Sequence, residues 1–205
     1  MSLLPCSFFL RPDVVQIARE LLGKKIITRF AGEITSGVIC ETEAYAGVTD
    51  RASHAYGGRR TARTEVMYAL GGTAYVYLCY GIHSLFNIVT SDAGTPHAVL
   101  IRGIIPAEGT EIMLRRSGKT KFTHDSGIGP GKVSKMLGIH YSHSGFILNQ
   151  FDNPGNNTIS LEDMGTDIDP DKITAGPRVG VDYAGTDALL PYRFMVQELI
   201  LHSKP

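Results

Sequence analysis

The first apolar pattern in the chain is helical. The stretch "RPDVVQIARELLGK", residues 11–24, has an apolar residue every three or four positions, which is the spacing of one helix face. The residues on that stripe are Val14, Ile17, Ala18 and Leu21. Pro12 suits the first turn and Gly23 stands where a helix ends, so the pattern predicts a helix with its apolar side on a core.

Two strand patterns follow, "KKIITRF" and "EITSGVICETEAY", on either side of a polar turn. Side chains along a strand alternate between its two faces. In the second strand this alternation places Ile39, Glu41, Glu43 and Tyr45 on one face. The other face takes Val38, Cys40, Thr42 and Ala44. Two carboxylates beside an aromatic ring, in a strand that is otherwise apolar, are candidates for chemistry.

Three β-rich runs fill the middle of the chain, "TAYVYLCY", "SLFNIVTS" and "HAVLIRGII". Their short connections, "GIH" and "DAGTP", predict an antiparallel meander. Helices are predicted in "AEGTEIMLRR", with Ile112 and Met113 facing inward, and in "GPGKVSKMLGI", which Pro130 opens and Gly138 closes. The polar segment 145–175 has one strand pattern, "TISLED", and the tail has two further strand candidates, "GPRVGVDYAG" and "PYRFMVQEL".

Composition narrows the class of protein. A chain of 205 residues suits one domain, and 23 glycines with 10 prolines favour a strand-rich or mixed fold over a helical bundle. A formal net charge of zero argues against nucleic-acid binding driven by bulk charge, although a local basic patch stays open. Three cysteines without CxxC spacing, and no recognisable signal peptide or membrane-spanning stretch, lead us to expect a cytosolic protein.

Common catalytic motifs are missing from the sequence. It has no GxxxxGK[ST] phosphate loop, no GxGxxG after a strand, no HExxH and no GxSxG. His140 and His143 are spaced as metal ligands could be, but no third ligand is obvious, so a surface pair is favoured and we expect no metal. The helix start at "GPGK" either binds a phosphate through its N–H groups and Lys132 or simply punctuates the chain.

Polar and aromatic residues interrupt the apolar runs of the meander. Tyr75 and Tyr77 share one face of their strand, and Tyr80 stands at the tip of the hairpin beside a glycine. A ring at such a tip has little to pack against in its own sheet and could insert between stacked bases. Asn87 and Arg102 add polar groups on the next strands, which is typical of a lined pocket rather than of a core alone.

Several stretches together resemble one family. They are "ETEAY", "SHAYGGRRTARTEVMY", "GGTAYVYLCYGIHSLFNIV", "AVLIRGIIP", "GPGKVSKMLGI", "GPRVGV" and "PYRF". In this order they are similar to the alkyladenine (3-methyladenine) DNA glycosylases of base-excision repair, from about residue 8 to about residue 196. The resemblance implies an α+β fold in a single domain, residues 1–205. It also implies a curved, mostly antiparallel sheet flanked by helices, with a β-hairpin tip inserted into DNA.

The resemblance also implies roles around a flipped base. Glu43, the second glutamate of "ETEAY", activates the attacking water, and Arg102 helps to hold that water and the DNA backbone. Tyr45 and Tyr77 stack on the two sides of the base. His54 contacts the purine edge.

Further roles implied by the resemblance concern the rest of the DNA. Asn87 trims the pocket, and Tyr80 fills the gap that the base leaves in the duplex. A backbone carbonyl near "PRVGV" takes part but is not assigned to one residue. The DNA backbone is expected to lie on Arg59, Arg60, Arg63 and Lys132.

Elementary chemistry agrees with these expectations. A base must leave the stack before its bond to the sugar can be cut. A pocket of tyrosines favours flat, electron-poor purines, and one ionised carboxylate suffices to stabilise an oxocarbenium-like sugar and to deprotonate water. Without a lysine at the matched positions, a lyase step through a Schiff base is not expected.

We therefore expect a monofunctional glycosylase that acts on duplex DNA with a damaged purine and leaves an abasic site. It would need no cofactor and no membrane, and it would work as a monomer in a bacterial cytoplasm, with the nucleoid, or in a eukaryotic nucleus. Two alternatives stay open, a non-catalytic nucleic-acid-binding domain and a nucleoside or sugar hydrolase that uses Glu41 and Glu43 as a pair. For Glu41 itself an orienting or salt-bridging role is favoured over a catalytic one.

Overall fold

The computed structural model describes residues 2–150, 154–165 and 168–202. The strands of this part of the chain are β1 Ser2–Leu3, β2 Lys25–Phe30, β3 Glu33–Tyr45, β4 Ala74–Cys79, β5 His83–Thr90, β6 His97–Glu108, β7 Thr158–Asp163, β8 Ile173–Gly176 and β9 Arg193–Val196. The α-helices are α1 Cys6–Phe9, α2 Val14–Glu20, α3 Thr110–Ser117, α4 Pro130–Leu137 and α5 Gln197–His202. Helices and an antiparallel sheet in one unit make this an α+β fold, as the sequence predicts.

The described strands form one nine-stranded sheet. Its main path runs β1-β7-β2-β3-β6-β5-β4, and β9 pairs with β3 and carries β8 on its other side. The pairings are antiparallel, and β4, β5 and β6 follow one another as neighbours, which confirms the predicted meander. The long strand β3 lies at the centre because it pairs with β2, β6 and β9.

Helix α2 forms where the apolar stripe predicts it. Val14, Ile17 and Ala18 are buried within the helix, and Leu21 directly after it is buried too. The helix begins later than the sequence suggests, because the Asp13 side chain caps it by accepting a hydrogen bond from the Gln16 N–H.

The second and third helical predictions also hold. Helix α4 starts at Pro130 and ends before Gly138, whose φ of 70° provides a left-handed C-cap. Helix α3 starts only at Thr110, because β6 continues through Glu108, and its Met113 is buried in the core.

The tail differs from the prediction. "GPRVGVDYAG" is not a strand: β8 ends at Gly176, and the chain then turns into a 3₁₀ helix, Asp182–Leu189. Gly180 has a φ of 73°, which is incompatible with strand geometry. The "PYRFMVQEL" prediction is correct only for β9, after which the chain forms α5. Alternation and β-branched residues did not distinguish this loop from a strand.

Of three register shifts in the pairing of β3 with β6, two are β-bulges on either side of Glu41. Ile39 pairs with Ile104 and Glu41 with Gly103, which leaves Cys40 as an extra residue of β3. Such insertions reset the alternation of faces. Ile39 accordingly packs in the main hydrophobic cluster with the helices, and its predicted grouping with Glu41 is wrong.

The described ranges contain neither a membrane-spanning helix nor a cluster of possible metal ligands. No helix in them is long and apolar enough to cross a membrane. They also contain no group of three or more His, Cys, Asp or Glu side chains that could hold a metal ion. His143 instead stacks on the Phe30 ring at 4.2 Å, and His140 caps the turn that contains it.

Candidate active site

A cavity of about 460 Å³ opens on the sheet beside the β4–β5 hairpin. Eight of the side chains predicted from the sequence line it: Glu43, Tyr45, His54, Arg63, Tyr77, Tyr80, Asn87 and Arg102. The loop at residues 179–183 closes one side. The structure thus brings together residues from five separate stretches of the chain.

Register across the sheet builds the floor of this cavity. Five residues form one row across β4, β5, β6, β3 and β9: Tyr75, Asn87, Leu100, Glu43 and Arg193. Neighbours in such a row project from the same face of the sheet. The first four members of the row line the cavity. Ordinary antiparallel pairing therefore brings Tyr75, Asn87 and Glu43 to one site from three different strands.

Glu43 is the buried acid of the cavity. Its Oε1 accepts a hydrogen bond of 2.8 Å from the Val179 backbone N–H, and its Oε2 accepts one of 2.7 Å from the Tyr45 hydroxyl. Arg102 Nε lies 3.4 Å from Oε1. Burial raises the pKa of Glu43 above its ordinary value, although Arg102, the Val179 N–H and Tyr45 oppose that rise. The carboxylate is fixed in orientation by three groups.

Glu41 is equally buried but does not line the cavity. Its Oε1 accepts hydrogen bonds from Arg102 Nε at 3.1 Å and from Arg193 Nε at 2.6 Å. The two glutamates are therefore not interchangeable, because one faces the cavity and the other faces two arginines. This placement agrees with the salt-bridging role that the sequence favoured for Glu41.

The second bulge sets the direction of the Arg102 side chain. Glu41 pairs with Gly103 and Thr42 with Ile101, so Arg102 is the extra residue of β6 and has no partner directly opposite. A bulged residue turns its side chain away from regular alternation. As a result the Arg102 Nε lies within reach of both glutamates.

Tyr45 is held on both its polar end and its ring. The hydroxyl donates to Glu43, and the Arg178 guanidinium lies 4.8 Å from the ring centroid. Burial, followed by the charge of Glu43, raises the pKa of Tyr45 well above its ordinary value, so the hydroxyl keeps the proton that it donates.

His54 lies on the opposite wall. Its Nδ1 is 2.9 Å from the Tyr75 hydroxyl, and its Nε2 is 3.3 Å from Arg63 Nη2. Arginine can only donate, so Nε2 accepts and the ring proton resides on Nδ1. Burial, then the charges of Arg63 and Arg59, lower the pKa of His54 from 6.5 to about 4, so the ring is neutral at physiological pH.

The remaining wall is aromatic. The His54 and Tyr77 rings meet edge to face at 4.7 Å, and the Arg63 guanidinium lies 4.8 Å from the Tyr77 centroid. Asn87 donates from Nδ2 to the carbonyl oxygens of Tyr75 and Leu85, at 3.1 and 3.3 Å. These contacts lock the Asn87 amide beside a flat, partly apolar space.

Tyr80 stands at the rim with 92% of its surface exposed. It has a φ of 50°, and Gly81 follows with a φ of 74°, so the hairpin turns through two left-handed residues. That turn, rather than packing, presents the ring to solvent. Ile82 on the same tip is 72% exposed.

Three predicted DNA-backbone residues lie outside the cavity. Arg60 pairs with Glu65 at 2.6 Å, and Lys132 pairs with Asp125 at 3.0 Å, so their charges are partly neutralised on the surface. Arg59 lies beside His54 and Arg63 on an adjoining open surface. Of the four residues expected to contact DNA phosphates, only Arg63 reaches the cavity itself.

Sequence reasoning missed several parts of the site. The Val179 N–H, which donates to Glu43, was not foreseen, and the carbonyl expected from the same segment "PRVGV" stays a prediction. Tyr75, Arg178 and Arg193 were not singled out as site residues. Tyr75 and Arg178 contact the predicted residues His54 and Tyr45, and Arg193 contacts Glu41. The two glycines beside the segment, in "GPRVG", were the available signal, because glycine often marks close backbone approach.

The arrangement places the buried carboxylate of Glu43 in a cavity of about 460 Å³ that aromatic rings line. None of the described residues that line the cavity is a lysine, so no amine is placed there to form a Schiff base. An acid held near a flat, electron-rich pocket is suited to hydrolysis of a bond to an aromatic, electron-poor group.

Comparison with known proteins agrees with this class of site. The sequence model of the methylpurine-DNA glycosylase family matches residues 7–199. A relative from Chlamydia abortus is 46% identical over 199 residues, which cover 95% of this chain and 98% of the relative. One from Chlamydia pneumoniae is 45% identical over 194 residues, covering 92% of each chain. One from Bacillus cereus is 42% identical over 198 residues, covering 93% of each.

Each of these relatives bears the name "Putative 3-methyladenine DNA glycosylase". The family match covers nearly the whole chain, and the relatives are matched over almost their full length. The chain belongs to the methylpurine-DNA glycosylase family, which confirms the resemblance found in its motifs.

Proposed function

We propose that this protein is a monofunctional DNA glycosylase that removes alkylated or deaminated purines from duplex DNA. Its substrates would be 3-methyladenine-like bases, hypoxanthine and ethenoadenine, and its product an abasic site. The observation that carries the proposal is Glu43, a buried carboxylate held by Val179, Tyr45 and Arg102 at the floor of a tyrosine-lined cavity. Family membership supports the same reaction.

The base would bind between the rings of Tyr45 and Tyr77, with His54 at its edge. Both rings line the cavity, and the neutral His54 offers Nε2 as an acceptor once Arg63 gives way. Stacking on tyrosine favours electron-poor purines, and a cationic alkylated base gains a further cation–π contribution. Asn87, locked by two carbonyls, would limit which purine substituents fit.

Flipping the base leaves a gap in the duplex. Tyr80, exposed at the hairpin tip, would occupy it and offset part of the unstacking cost of a few kcal/mol. Lys132, Arg59, Arg60 and Arg63 would face the backbone, and the start of α4 adjoins the cavity through Pro130. A local basic face would serve a protein whose net charge is zero.

The chemical step would be hydrolysis. The bond between C1′ and the base nitrogen breaks, its electron pair leaves with the base, and the sugar becomes oxocarbenium-like. Glu43 stabilises this cation, takes a proton from water, and the water oxygen bonds to C1′. A cationic alkylated base leaves as a neutral molecule without prior protonation, whereas a neutral base such as hypoxanthine leaves as an anion and takes up a proton from solvent. Arg102 would orient the water and the adjacent phosphate.

Single-turnover excision from a duplex with one hypoxanthine or ethenoadenine tests this proposal. The wild type should release the base, and Glu43→Gln should bind the same duplex but lose cleavage. Tyr45→Phe is a matched control, because it keeps the ring and removes only the hydroxyl that donates a hydrogen bond to Glu43. Binding without cleavage by the wild type would leave a non-catalytic binding domain as the better description. Full activity of Glu43→Gln would contradict the proposed role of that residue.

We also propose that the chain works as a monomer and as one domain, in the compartment that holds the DNA. Sedimentation of the free protein and of its DNA complex tests the first point, since a single protein per duplex is expected.

A further inference from the structure

Four charged side chains meet next to the proposed reaction centre, and the proposed chemistry explains only two of them, Glu43 and Arg102. Glu41 and Glu43 are fully buried on β3, Arg102 comes from β6, and Arg193 comes from β9. Two acids and two arginines give this cluster a formal charge of zero. Of the two acids, only Glu43 reaches the cavity.

Arg193 is paired with Glu43 by strand register but forms its hydrogen bond with Glu41. Its Cα pairs with Glu43 across β3 and β9, while Glu41 pairs with Met195. Opposite residues in an antiparallel pair are the ones that ordinarily interact. The Arg193 Nε nevertheless donates to Glu41 Oε1 at 2.6 Å. Glu41 thus draws Arg193 away from Glu43.

Arg102 also lies between the two glutamates and is closer to Glu41. Its Nε is 3.1 Å from Glu41 Oε1 and 3.4 Å from Glu43 Oε1, so the shorter contact is with Glu41. Glu41 Oε1 therefore accepts from both arginines, whereas its Oε2 has no hydrogen-bond partner among the described protein atoms. The interactions of Glu41 are directed at the two cations.

The backbone makes room for this arrangement. A Cβ on Gly103, which pairs with Glu41, would lie 2.8 Å from the Glu41 Cβ and 3.0 Å from the Cys40 sulfur. Glycine at that position allows Glu41 to sit against β6, next to the bulge that carries Arg102.

We propose that Glu41 is a positioning residue that neutralises Arg102 and Arg193, so that the negative charge of Glu43 stays available to the reaction. This inference rests on the proposed hydrolysis. Without Glu41, two arginines would face one carboxylate, and the cluster would carry a net positive charge beside a sugar that is itself becoming a cation. Glu41 thus acts through the arginines and does not touch the substrate.

Other groups also act on Glu43 and have to be held constant in a test. They are Tyr45 on β3, Tyr77 on β4, and Arg178 and Tyr183 on the loop after β8. Arg102 lowers the pKa of Glu43 and Glu41 raises it. Replacing Glu41 removes the second influence and frees Arg102 for Glu43, so both changes move that pKa in the same direction, downward.

The test compares the wild type with Glu41→Gln and with the double variant Glu41→Gln/Arg193→Gln. A unit charge a few ångströms from the reacting sugar changes the rate by about tenfold or more at the effective dielectric of a protein. We expect Glu41→Gln to slow single-turnover excision by at least that factor and to shift the acidic limb of the pH profile to lower pH. The double variant restores a neutral cluster and should recover most of the rate.

Arg193→Gln alone should shift the pKa of Glu43 in the opposite direction. Arg193 is partly exposed, so this variant should fold even if Glu41→Gln does not. Glu41 then pairs with Arg102 alone, and we expect the pKa of Glu43 to rise. Glu65→Gln, in the exposed pair with Arg60, is the charge control and should leave the profile unchanged.

A carboxyl ¹³C titration of Glu43 in the free protein separates this inference from the proposed function, because it needs no glycosylase activity. A lower Glu43 pKa in Glu41→Gln and a higher one in Arg193→Gln are expected. An unchanged pKa in both variants overturns the inference, and so does a double variant as slow as Glu41→Gln. A wild type that excises no base overturns the proposed function, whatever the titration gives.

Discussion

The Arg178 guanidinium forms a two-point ion pair with Asp50, with Nη1–Oδ2 and Nη2–Oδ1 distances of 2.5 and 2.8 Å. Both side chains are fully or almost fully buried. Arg178 also donates to the Ala44 carbonyl at 2.9 Å. The pair ties the end of β3 to the loop that supplies the Val179 N–H, so it fixes the distance between that donor and Glu43.

Asp50→Asn should destabilise the protein strongly. Removing one charge of a buried pair leaves the other without compensation, at a cost of about 3–5 kcal/mol in the free energy of unfolding. Urea unfolding monitored by circular dichroism measures it. Glu65→Gln, which breaks the exposed Arg60–Glu65 pair, is the control and should change stability little. Equal effects of the two variants would contradict a structural role for the Arg178–Asp50 pair.

Tyr80→Ala should reduce excision from duplex DNA while leaving the fold intact. The ring is 92% exposed, so its loss removes no core packing. Stacking of a ring on bases contributes about 1–3 kcal/mol, which corresponds to about a fivefold to hundredfold loss in rate or affinity. Single-turnover assays on duplex and on single-stranded substrates measure it.

The loss in Tyr80→Ala should be much smaller on single strands, where no stacked gap needs filling. Tyr80→Phe keeps the ring and should retain most of the duplex activity. A Tyr80→Ala variant as active on duplex as the wild type would rule out the wedge.

Arg63→Gln should raise the pKa of His54. Burial is the largest cause of its lowered pKa of about 4, and the charges of Arg63 and Arg59 add to it, so the rise should be partial. An NMR titration of the His54 ring protons measures this shift. Arg60→Gln is the matched control, because its guanidinium bonds to Glu65 instead. No shift in Arg63→Gln would mean that the guanidinium does not lie beside His54 in solution.

His54 also makes stability depend on pH. The unfolded chain binds a proton near pH 6.5 and the folded protein only near pH 4, so protonation favours unfolding between these values. The free energy of unfolding should therefore fall as the pH drops from about 6.5 to about 4, by at most about 1.4 kcal/mol per pH unit from this group. His54→Gln should remove that part of the slope, and an identical slope in the variant would contradict it.

Arg59→Ala should weaken DNA binding more than Arg60→Ala or Lys132→Ala. Arg60 and Lys132 are already paired with Glu65 and Asp125, so they offer less charge to a phosphate. Loss of one phosphate contact lowers the slope of log affinity against log salt by about 1. Fluorescence anisotropy over a range of salt concentrations measures it, on an undamaged duplex so that the pocket plays no part. Equal slopes of log affinity against log salt in all three variants would contradict the prediction that Arg59 contacts a phosphate more strongly than Arg60 and Lys132 do.

Local patterns determined much of this protein. The apolar stripe of α2, the meander of β4, β5 and β6, and the limits of α4 depend on residues that are neighbours in the chain, so the sequence alone predicts them. Glu43, Tyr45 and His54 could be selected because they stand in one short stretch whose pattern resembles a family.

Tertiary structure decided what distinguishes Glu41 from Glu43. Period-two alternation makes these two residues equivalent, and two bulges opposite each other break that equivalence. One extra residue in β6 turns Arg102 towards both acids, and the pairing of β9 brings Arg193 to Glu41. Bulges depend on how two distant strands fit together, which no local pattern records.

The contact of the Val179 N–H with Glu43 could not be predicted from the sequence, for a related reason. The N–H group meets Glu43 across 136 residues of chain, through a loop held by the Arg178–Asp50 pair. A backbone donor is the same atom at every non-proline position, so only its location in space gives it a role. The sequence thus determined which side chains are available, and cross-strand register, bulges and one buried ion pair determined which of them meet.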